Sequence, residues 1–386
     1  MSSPNLILFD ISLLHRQLLP LTFTRPVSEI RCGIFTLREK WENYFGKASW
    51  LTEDYLKEVF PCKYSVVNIY INSALISTPS LEDSISKLQH NEALFYKGNL
   101  LALRSGEQTR EDIFTIPVKK IEVENARLIE RPWHIFQLNG SEIKKDFELI
   151  KLNRINQGVL DKHTVVYNPE LVFIDENVKI KASVLNAEAG PIYIGPNCEV
   201  QEGSLIRGPF AMCEGSVLSM GSKIKGDTTI GPFCKIGGEV SNSVVFGYSN
   251  KGHDGFMGNS VIGEWCNLGA DTNTSNLKNN YSEVSVYSYA ENGMINTGSQ
   301  FCGLTMGDHS KAGINTMFNT GTVVGVSSNV FDGDFPPKHV PSFSWGKEVY
   351  DFDKAVQTAK IVMSRRGKIL SEAEILILKK VKDYEL

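Results

Sequence analysis

The chain has 386 residues, a length that predicts two to three domains. Hydrophobic residues make up 42% of it and charged residues 22%, values that exclude a globally disordered chain. Lys and Arg total 40 and Asp and Glu total 44, which leaves a net charge of -4. No basic excess is available to hold a phosphate backbone, so a nucleic acid is not expected as a main partner.

The start of the chain lacks the features of a secretory signal. No basic segment precedes the short apolar stretch, and Asp10 interrupts it. No window of about 18 apolar residues occurs, so we expect no transmembrane helix and no membrane partner. The seven cysteines are widely spread and form no CxxC pair. They predict reduced thiols and a cytoplasmic protein, and the spacing of His and Cys predicts no metal site.

The amino-terminal part of the chain, residues 1–150, is predicted to form an α/β domain. Its first apolar run, Leu6 to Phe9, predicts a buried strand. Residues 130–136 combine a proline with large aromatic side chains, which favours a packed junction over a flexible tether. A helical stretch over residues 141–155 is expected to lead into the next domain.

Glycine, asparagine and serine crowd into the middle of the chain, where apolar residues recur at every sixth position. The series starting at Ile194 continues through Val200, Ile206, Met212, Leu218, Ile224, Ile230 and Ile236. A period of six matches neither a helix nor a simple strand. It predicts a left-handed parallel β-helix of hexapeptide repeats over residues 158–346, and it favours that fold over a glycine-rich β-sandwich.

Two interruptions of the period, residues 243–255 and 275–300, are expected to leave the coil. Excursions from a solenoid commonly carry function. After residue 346 the pattern becomes helical, which predicts a helical tail over residues 347–386. Ser371 and Glu374 form a capping box there, and Gly367 separates two helices. Arg365 and Arg366 are expected on a solvated face, with binding of an anionic ligand as the alternative.

The first interruption carries a resemblance to a known family. Residues 249–259, SNKGHDGFMGN, resemble the segment around the catalytic histidine in the bifunctional N-acetylglucosamine-1-phosphate uridyltransferase/glucosamine-1-phosphate acetyltransferase family. The stretches 267–276 (NLGADTNTSN) and 306–313 (MGDHSKAG) are similar to later parts of the same acetyltransferase domain. The likeness covers about 150 residues of the coil.

This resemblance implies acetyl transfer from acetyl-CoA to an amino sugar. His253 becomes the candidate general base, because a neutral imidazole takes up an amine proton near pH 7. Lys251 is the candidate partner of a sugar phosphate, and Asn267 and Asn276 are candidates for hydrogen bonds to sugar hydroxyls. Each also has a structural alternative: a structural histidine, a solvated lysine and two corner asparagines.

The amino end resembles the opening of sugar nucleotidyltransferase domains. Residues 19–26, LPLTFTRP, are similar to the proline-leucine-threonine and arginine-proline run of that family. The family's glycine-rich phosphate loop is replaced by residues 10–17, DISLLHRQ, which contain no glycine. The chain therefore resembles a divergent, truncated sugar nucleotidyltransferase. Arg16 and Arg25 are weak candidates for nucleotide contacts, and Mg²⁺ is expected only if this domain is active.

The sequence supports three functions. The favoured one is CoA-dependent acetyl transfer to an amino sugar at the β-helix. The alternatives are nucleotidyl transfer to a hexose-1-phosphate at the amino-terminal domain, and a non-catalytic trimer that binds a sugar nucleotide. The resemblance implies a sugar phosphate or nucleotide sugar as the small-molecule partner and a homotrimer as the assembly.

Overall fold

The computed structural model describes residues 5–158 and 161–385, without the side chain of residue 385. The predicted domain limits at residues 1 and 386 lie outside this range. The amino-terminal α/β domain contains one six-stranded sheet in the order β2-β1-β3-β5-β4-β6. Its strands are β1 Asn5–Phe9, β2 Ala48–Leu51, β3 Asn68–Asn72, β4 Glu92–Tyr96, β5 Asn99–Ser105 and β6 Lys119–Glu122. Its helices are α1 Ser12–Gln17, α2 Leu37–Phe45 and α3 Pro79–Ser86, and short 3-10 turns occupy Val27–Glu29, Asp54–Leu56 and Asp112–Phe114.

Strand β1 lies inside this sheet. It pairs in parallel with β2 on one side and β3 on the other. Leu6, Ile7, Leu8 and Phe9 are each at most 1% exposed, so both faces of the strand are covered. A continuous apolar run is what a strand buried on both faces requires, and the predicted first strand is confirmed.

One long helix joins the two domains. Helix α4, Pro132–Asn153, begins with a proline in its first turn, where the missing N–H costs nothing. The helical stretch expected over residues 141–155 is therefore the second part of a helix that starts at Pro132, inside the predicted junction. Trp133 and Phe136 are buried in it, as a packed junction requires.

The middle of the chain forms a left-handed parallel β-helix with three sheets. The first sheet contains β7 Val165–Tyr167, β10 Val184–Asn186, β13 Leu205–Arg207, β16 Lys223–Ile224, β19 Glu239–Ser241 and β22 Phe256–Gly258. The second contains β8 Val172–Ile174, β11 Ile192–Ile194, β14 Phe210–Met212, β17 Thr228–Ile230, β20 Val244–Val245, β23 Val261–Ile262, β28 Thr305–Met306, β31 Val323–Val324 and β33 His339–Val340. The third contains β9 Lys179–Ile180, β12 Glu199–Val200, β15 Val217–Leu218, β18 Lys235–Ile236, β21 Asn250–Lys251, β24 Asn267–Leu268, β29 Lys311–Ala312, β32 Asn329–Val330, β34 Ser344–Trp345 and the antiparallel β35 Glu348–Val349.

The eight residues of the six-residue series all lie inside the coil, each at most 2% exposed. They form one continuous apolar core with their neighbours from the other coils. Burying an aliphatic side chain is worth about 1.5–3 kcal/mol, and each coil gains it only by stacking on the next. The predicted β-helix is confirmed.

The first interruption does not leave the coil. Strands β20 and β21 lie within it and pair in parallel with β17 and β18. Thr229 pairs with Val244, fifteen residues later, whereas Tyr193 pairs with Ala211, eighteen residues later. The period is broken because this coil is three residues shorter. The expectation of an excursion over residues 243–255 was therefore wrong.

The second interruption does leave the coil. It begins after β25 Asn273–Thr274, which pairs with β30 Met317–Phe318. It contains an antiparallel hairpin of β26 Ser285–Ser288 and β27 Gly293–Asn296. The hairpin packs against the amino-terminal half of the molecule. Arg131 forms an ion pair with Glu291 at 2.7 Å, and the rings of Phe23 and Tyr289 meet edge to face at 5.2 Å.

The tail forms two helices, α5 Phe352–Ser364 and α6 Glu372–Glu385. The predicted capping box is present at the start of α6. The Ser371 N–H donates to the Glu374 carboxylate at 2.7 Å, and the Glu374 N–H donates to the Ser371 hydroxyl at 3.2 Å. Among residues 5–158 and 161–385, no helix combines the length and the apolarity that crossing a bilayer requires.

Arg25 connects the amino-terminal domain to the β-helix. Its guanidinium forms ion pairs with Glu264, at 3.2 Å, and with Asp308. It also lies 5.3 Å from the ring of Phe246. Burial acts to lower the pKa of Arg25, but the two carboxylates outweigh it and raise that pKa, so the group stays charged.

Replacing this arginine should destabilise the whole protein. We expect Arg25→Leu to lower the free energy of unfolding by about 3–5 kcal/mol, because it leaves a buried carboxylate without its partner. The control is Lys57→Ala, which removes an exposed pair with Asp54 and should cost less than about 1 kcal/mol. Urea unfolding at neutral pH measures both variants. Equal, small effects would show that Arg25 does not hold the domains together.

Candidate functional site

A groove with a volume of about 760 Å³ lies between the third sheet of the β-helix and the end of helix α5. Side chains from four consecutive coils form one wall, and the end of α5 with the turn after it forms the other. His253 and Asn267 line it, together with Lys235, Tyr248, Asn250, Gly252, Trp265, Cys266, Leu268, Gly269, Ala270, Lys311, Ile314, Val362, Arg365 and Arg366.

The structure brings two of the predicted site residues together here. His253 is exposed at the corner between β21 and β22, and Asn267 is exposed in the next strand of the third sheet. The two are neighbours because Asn250 pairs with Asn267 across adjacent coils. An accessible imidazole beside an accessible amide can accept a proton and hydrogen-bond a ligand in one place.

The groove is strongly basic. Lys235, Lys311, Arg365 and Arg366 line it, and none of its lining residues is an aspartate or glutamate. Lys311 is the most buried of the four; burial lowers its pKa, and its ammonium donates to the carbonyl of His309 at 2.8 Å. The other three are exposed. A groove lined by one sign of charge attracts ligands of the opposite sign, so the arrangement favours an anionic ligand.

The turn after α5 is tied to the coil. The Arg366 guanidinium donates to the side-chain oxygen of Asn250 at 3.4 Å, and the Lys368 ammonium lies 5.9 Å above the ring of Tyr248. Arg365 and Arg366 were expected on a solvated face. They are exposed, but they face the groove, which favours the alternative that they bind an anion.

A column of stacked rings borders the groove. Phe233, Tyr248, Trp265 and His309 occupy the same corner of successive coils, with φ between 58° and 62°. Centroids of neighbouring rings are 5.2, 4.1 and 6.3 Å apart, and the planes are nearly parallel. Left-handed backbone is unfavourable for bulky side chains, so the stacking of rings must hold these corners in place.

Lys251 does not reach the groove, which corrects its assignment to a sugar phosphate. Its side chain points into the coil and is 2% exposed. The ammonium donates to the carbonyls of Gly237, at 3.0 Å, and His253, at 3.1 Å. The lysine lies beside Ile236 in the register, a position that faces the interior.

Asn276 lies apart from His253 and is not among the residues that line the groove. It follows β25, and its amide donates to the side-chain oxygen of Asn259 at 2.8 Å. Arg25, expected at a nucleotide, is engaged by Glu264 and Asp308 instead. Arg16 is exposed on α1 and lines a separate cavity of about 370 Å³ that Lys380, Val381 and Tyr384 of α6 also line. The six predicted residues thus occupy five places.

The amino-terminal domain lacks a phosphate loop in the described structure. Strand β1 ends at Phe9 and helix α1 begins at Ser12. Asp10, between them, is buried, and burial raises the pKa of its carboxyl. It accepts hydrogen bonds from the Thr52 hydroxyl at 2.6 Å and the Val27 N–H at 3.2 Å. Its oxygens are therefore occupied by the fold. Within the two described ranges, no group of three or more His, Cys, Asp and Glu side chains is arranged to hold a metal ion.

Comparison with known proteins finds similarity to a sugar nucleotidyltransferase model and to named transferases. Residues 6–155 match a family model described as "Sugar nucleotidyl transferase". A bifunctional sugar-1-phosphate nucleotidylyltransferase/acetyltransferase of Sulfurisphaera tokodaii is 29% identical over 219 residues, 56% of this chain and 47% of that protein. The bifunctional protein GlmU of Synechococcus elongatus is 26% identical over 246 residues, 58% of this chain and 49% of that protein. The chain therefore spans about half the length of these two relatives.

A shorter relative carries only an acetyltransferase name. The uncharacterized acetyltransferase YaiX of Escherichia coli strain 536 is 28% identical over 171 residues, which are 44% of this chain and 74% of that protein.

The geometry predicts no useful nucleotidyl transfer. We expect no nucleotide sugar from a hexose-1-phosphate with UTP or dTTP and Mg²⁺, because α1 replaces the glycine loop that would surround the phosphates. Chromatography of the reaction mixture measures the product. Turnover at about one per second or faster would contradict the expectation. Binding of a nucleotide without turnover would be compatible with it.

Proposed function

We propose that this chain is a divergent member of the sugar nucleotidyltransferase family, and that its β-helix groove transfers an acetyl group from acetyl-CoA to the amine of an amino sugar. The sugar would carry a phosphate or a nucleotide. The observation that carries the proposal is the position of His253, an accessible imidazole on the wall of a groove lined by cations. Both substrates would be anionic, and the groove has the complementary charge.

His253 acts as the general base in this proposal. The amine nitrogen forms a bond to the acetyl carbon, and the carbon–sulfur bond of the thioester breaks. The imidazole takes the proton that the amine loses and returns it to the departing thiolate, which leaves as free CoA. The exposed position at the corner leaves room for a substrate beside the ring.

Asn267 and the cations would hold the substrates. The side-chain amide of Asn267 can donate to a sugar hydroxyl or to the oxygen that becomes negative in the transition state. Arg365 and Arg366 offer planar guanidinium groups that suit phosphate oxygens, and Lys235 supplies a point charge on the coil side. The groove joins residues that lie more than 100 positions apart in the chain, such as Asn250 and Arg366.

The family match of residues 6–155 favours nucleotidyl transfer as a second candidate. The engaged carboxylate of Asp10 and the direct passage from β1 into α1 argue against it. Mg²⁺ belongs only to this candidate. A non-catalytic trimer whose amino-terminal domain binds a sugar nucleotide is the third.

Removal of the imidazole tests the role of His253. We expect His253→Ala to lower kcat by about 10²–10⁴ with little change in KM for acetyl-CoA, because a base acts on the amine proton in the transition state. The melting temperature should barely move, since truncation of an exposed side chain leaves no cavity. Steady-state rates with candidate amino sugars and thermal unfolding are measured on the same samples.

His163→Ala is the matched control, because His163 is also exposed on the β-helix but lies outside the groove. The control should keep the parent rate. Equal activity of His253→Ala and the parent would exclude the catalytic role. A joint fall of rate and melting temperature would indicate a structural histidine.

We also propose that the chain assembles as a homotrimer through its β-helix. On the first sheet, Val165 and Tyr167 of β7 and Leu205 of β13 are each 47–49% exposed, which is a large apolar exposure on one face. Contact with a second copy would cover them. Sedimentation equilibrium at micromolar concentration should give three times the chain mass of 43.0 kDa. A single species at the monomer mass would contradict the proposal.

A further inference from the structure

One column of side chains inside the β-helix is interrupted by a charge. The interior residues of the third sheet follow one another from coil to coil as Ile180, Val200, Leu218, Ile236, Lys251, Leu268, Ala312 and Val330. Each is at most 5% exposed. Lysine is the one charged member of this series.

The stem of Lys251 fills the place of an aliphatic side chain. Its ammonium then reaches the corner that follows β21. There it donates to the carbonyl of Gly237, in the preceding coil, and to the carbonyl of His253, in its own coil. Asp254 and Asp271 are the carboxylates that act on the ammonium, and burial outweighs them and lowers its pKa to about 8.

Stability alone does not account for a lysine in this column. Removing an ammonium group from water costs free energy, and replacing buried ions by apolar side chains of similar volume is often neutral or stabilising. The neighbouring coils use isoleucine and leucine at the same place, and the coil closes there without a charge. What lysine adds is the pair of hydrogen bonds, and one of them ends on the backbone of His253.

We propose that Lys251 is a positioning residue that fixes the corner carrying His253 and so sets the direction of its imidazole. This inference rests on the proposed acetyl transfer. The two bonds join the His253 backbone to the preceding coil. Without them the corner keeps its backbone pairing with the adjacent coils and the bond from the Ser219 hydroxyl to the Gly252 carbonyl at 3.0 Å. The His253 backbone loses its link through the lysine, and the imidazole no longer stays in one orientation toward the groove. Small displacements of a catalytic group of this kind reduce turnover strongly.

Lys251→Met tests the inference, because methionine keeps the unbranched stem and removes the ammonium. Ile236→Met is the control in the adjacent coil of the same column. Hydrogen exchange of the peptide that spans residues 250–258 is measured by mass spectrometry. We expect exchange there to accelerate about tenfold in Lys251→Met and to stay at the parent rate in Ile236→Met.

The activity of the same samples distinguishes a positioning role of Lys251 from a role in which its side chain only fills space in the core. In Lys251→Met, kcat should fall about tenfold to a hundredfold, with unchanged KM for acetyl-CoA and a melting temperature no lower than that of Ile236→Met. Parent-like exchange at residues 250–258 would overturn the inference, and so would parent-like kcat in a folded Lys251→Met. A parallel fall of kcat and melting temperature in both variants would also overturn the inference. Such a result would mean that the side chains of this column affect activity only through the stability of the fold.

Hydrogen exchange also distinguishes this inference from the proposed function. If the parent acetylates no amino sugar but exchange accelerates at residues 250–258, the proposed reaction fails and the structural role of Lys251 stands. If the parent is active and exchange is unchanged, the reaction stands and the positioning role fails.

Discussion

The stacking of successive coils in register is the constraint on which the rest of the structure depends. Each interior side chain packs against the same position in the adjacent coils and against the interior of the other two sheets, so the core requires an apolar residue at each repeat of the position. The same repetition brings Tyr248 and Trp265 into a stack at 4.1 Å and sets Asn250 beside Asn267. The shortened coil, residues 229–243, keeps this register, and His253 and the buried Lys251 lie in the coil that follows it. The candidate site thus lies beside the point where the coil becomes shorter while the pairing between coils is kept.

Buried ion pairs then set the positions of the elements that pack around the coil. Arg25 binds Glu264 and Asp308 on the β-helix, and Lys40 binds Glu142 at 3.1 Å and Asp146 at 2.5 Å on helix α4. Such pairs contribute less to stability than to a unique arrangement, because each charge is costly without its partner. On the other side, Arg366 contacts the coil through Asn250 and presents the basic turn to the groove. Domain, coil and tail are held in one arrangement by these polar contacts together with a buried apolar cluster that includes Phe23, Val244 and Val356.

The sequence predicted the interior of the coil because burial imposes a period of six that is visible from Ile194 to Ile236. The resemblance, and not the period, singled out His253 and Asn267, and the structure shows that they lie on adjacent coils. The sequence misplaced Lys251, because a resemblance carries residue types but not the direction of a side chain. Aligning the third-sheet column would have shown that lysine stands where Ile236 and Leu268 stand. The sequence left the role of Arg365 and Arg366 open. Arg366 contacts Asn250, which lies 116 positions earlier in the chain, and a contact between such distant residues produces no local sequence pattern.

The most direct test of the central claim, that the groove between coil and tail binds an acyl-CoA, is isothermal titration of acetyl-CoA into the full chain. The parent is compared with a variant carrying both Arg365→Ala and Arg366→Ala, and with a control carrying Lys354→Ala and Lys360→Ala on exposed positions of α5. The account predicts saturable binding to the parent and the control, weakened at least about tenfold in the arginine variant. Absence of binding to the parent, or equal affinity in all three, would contradict it.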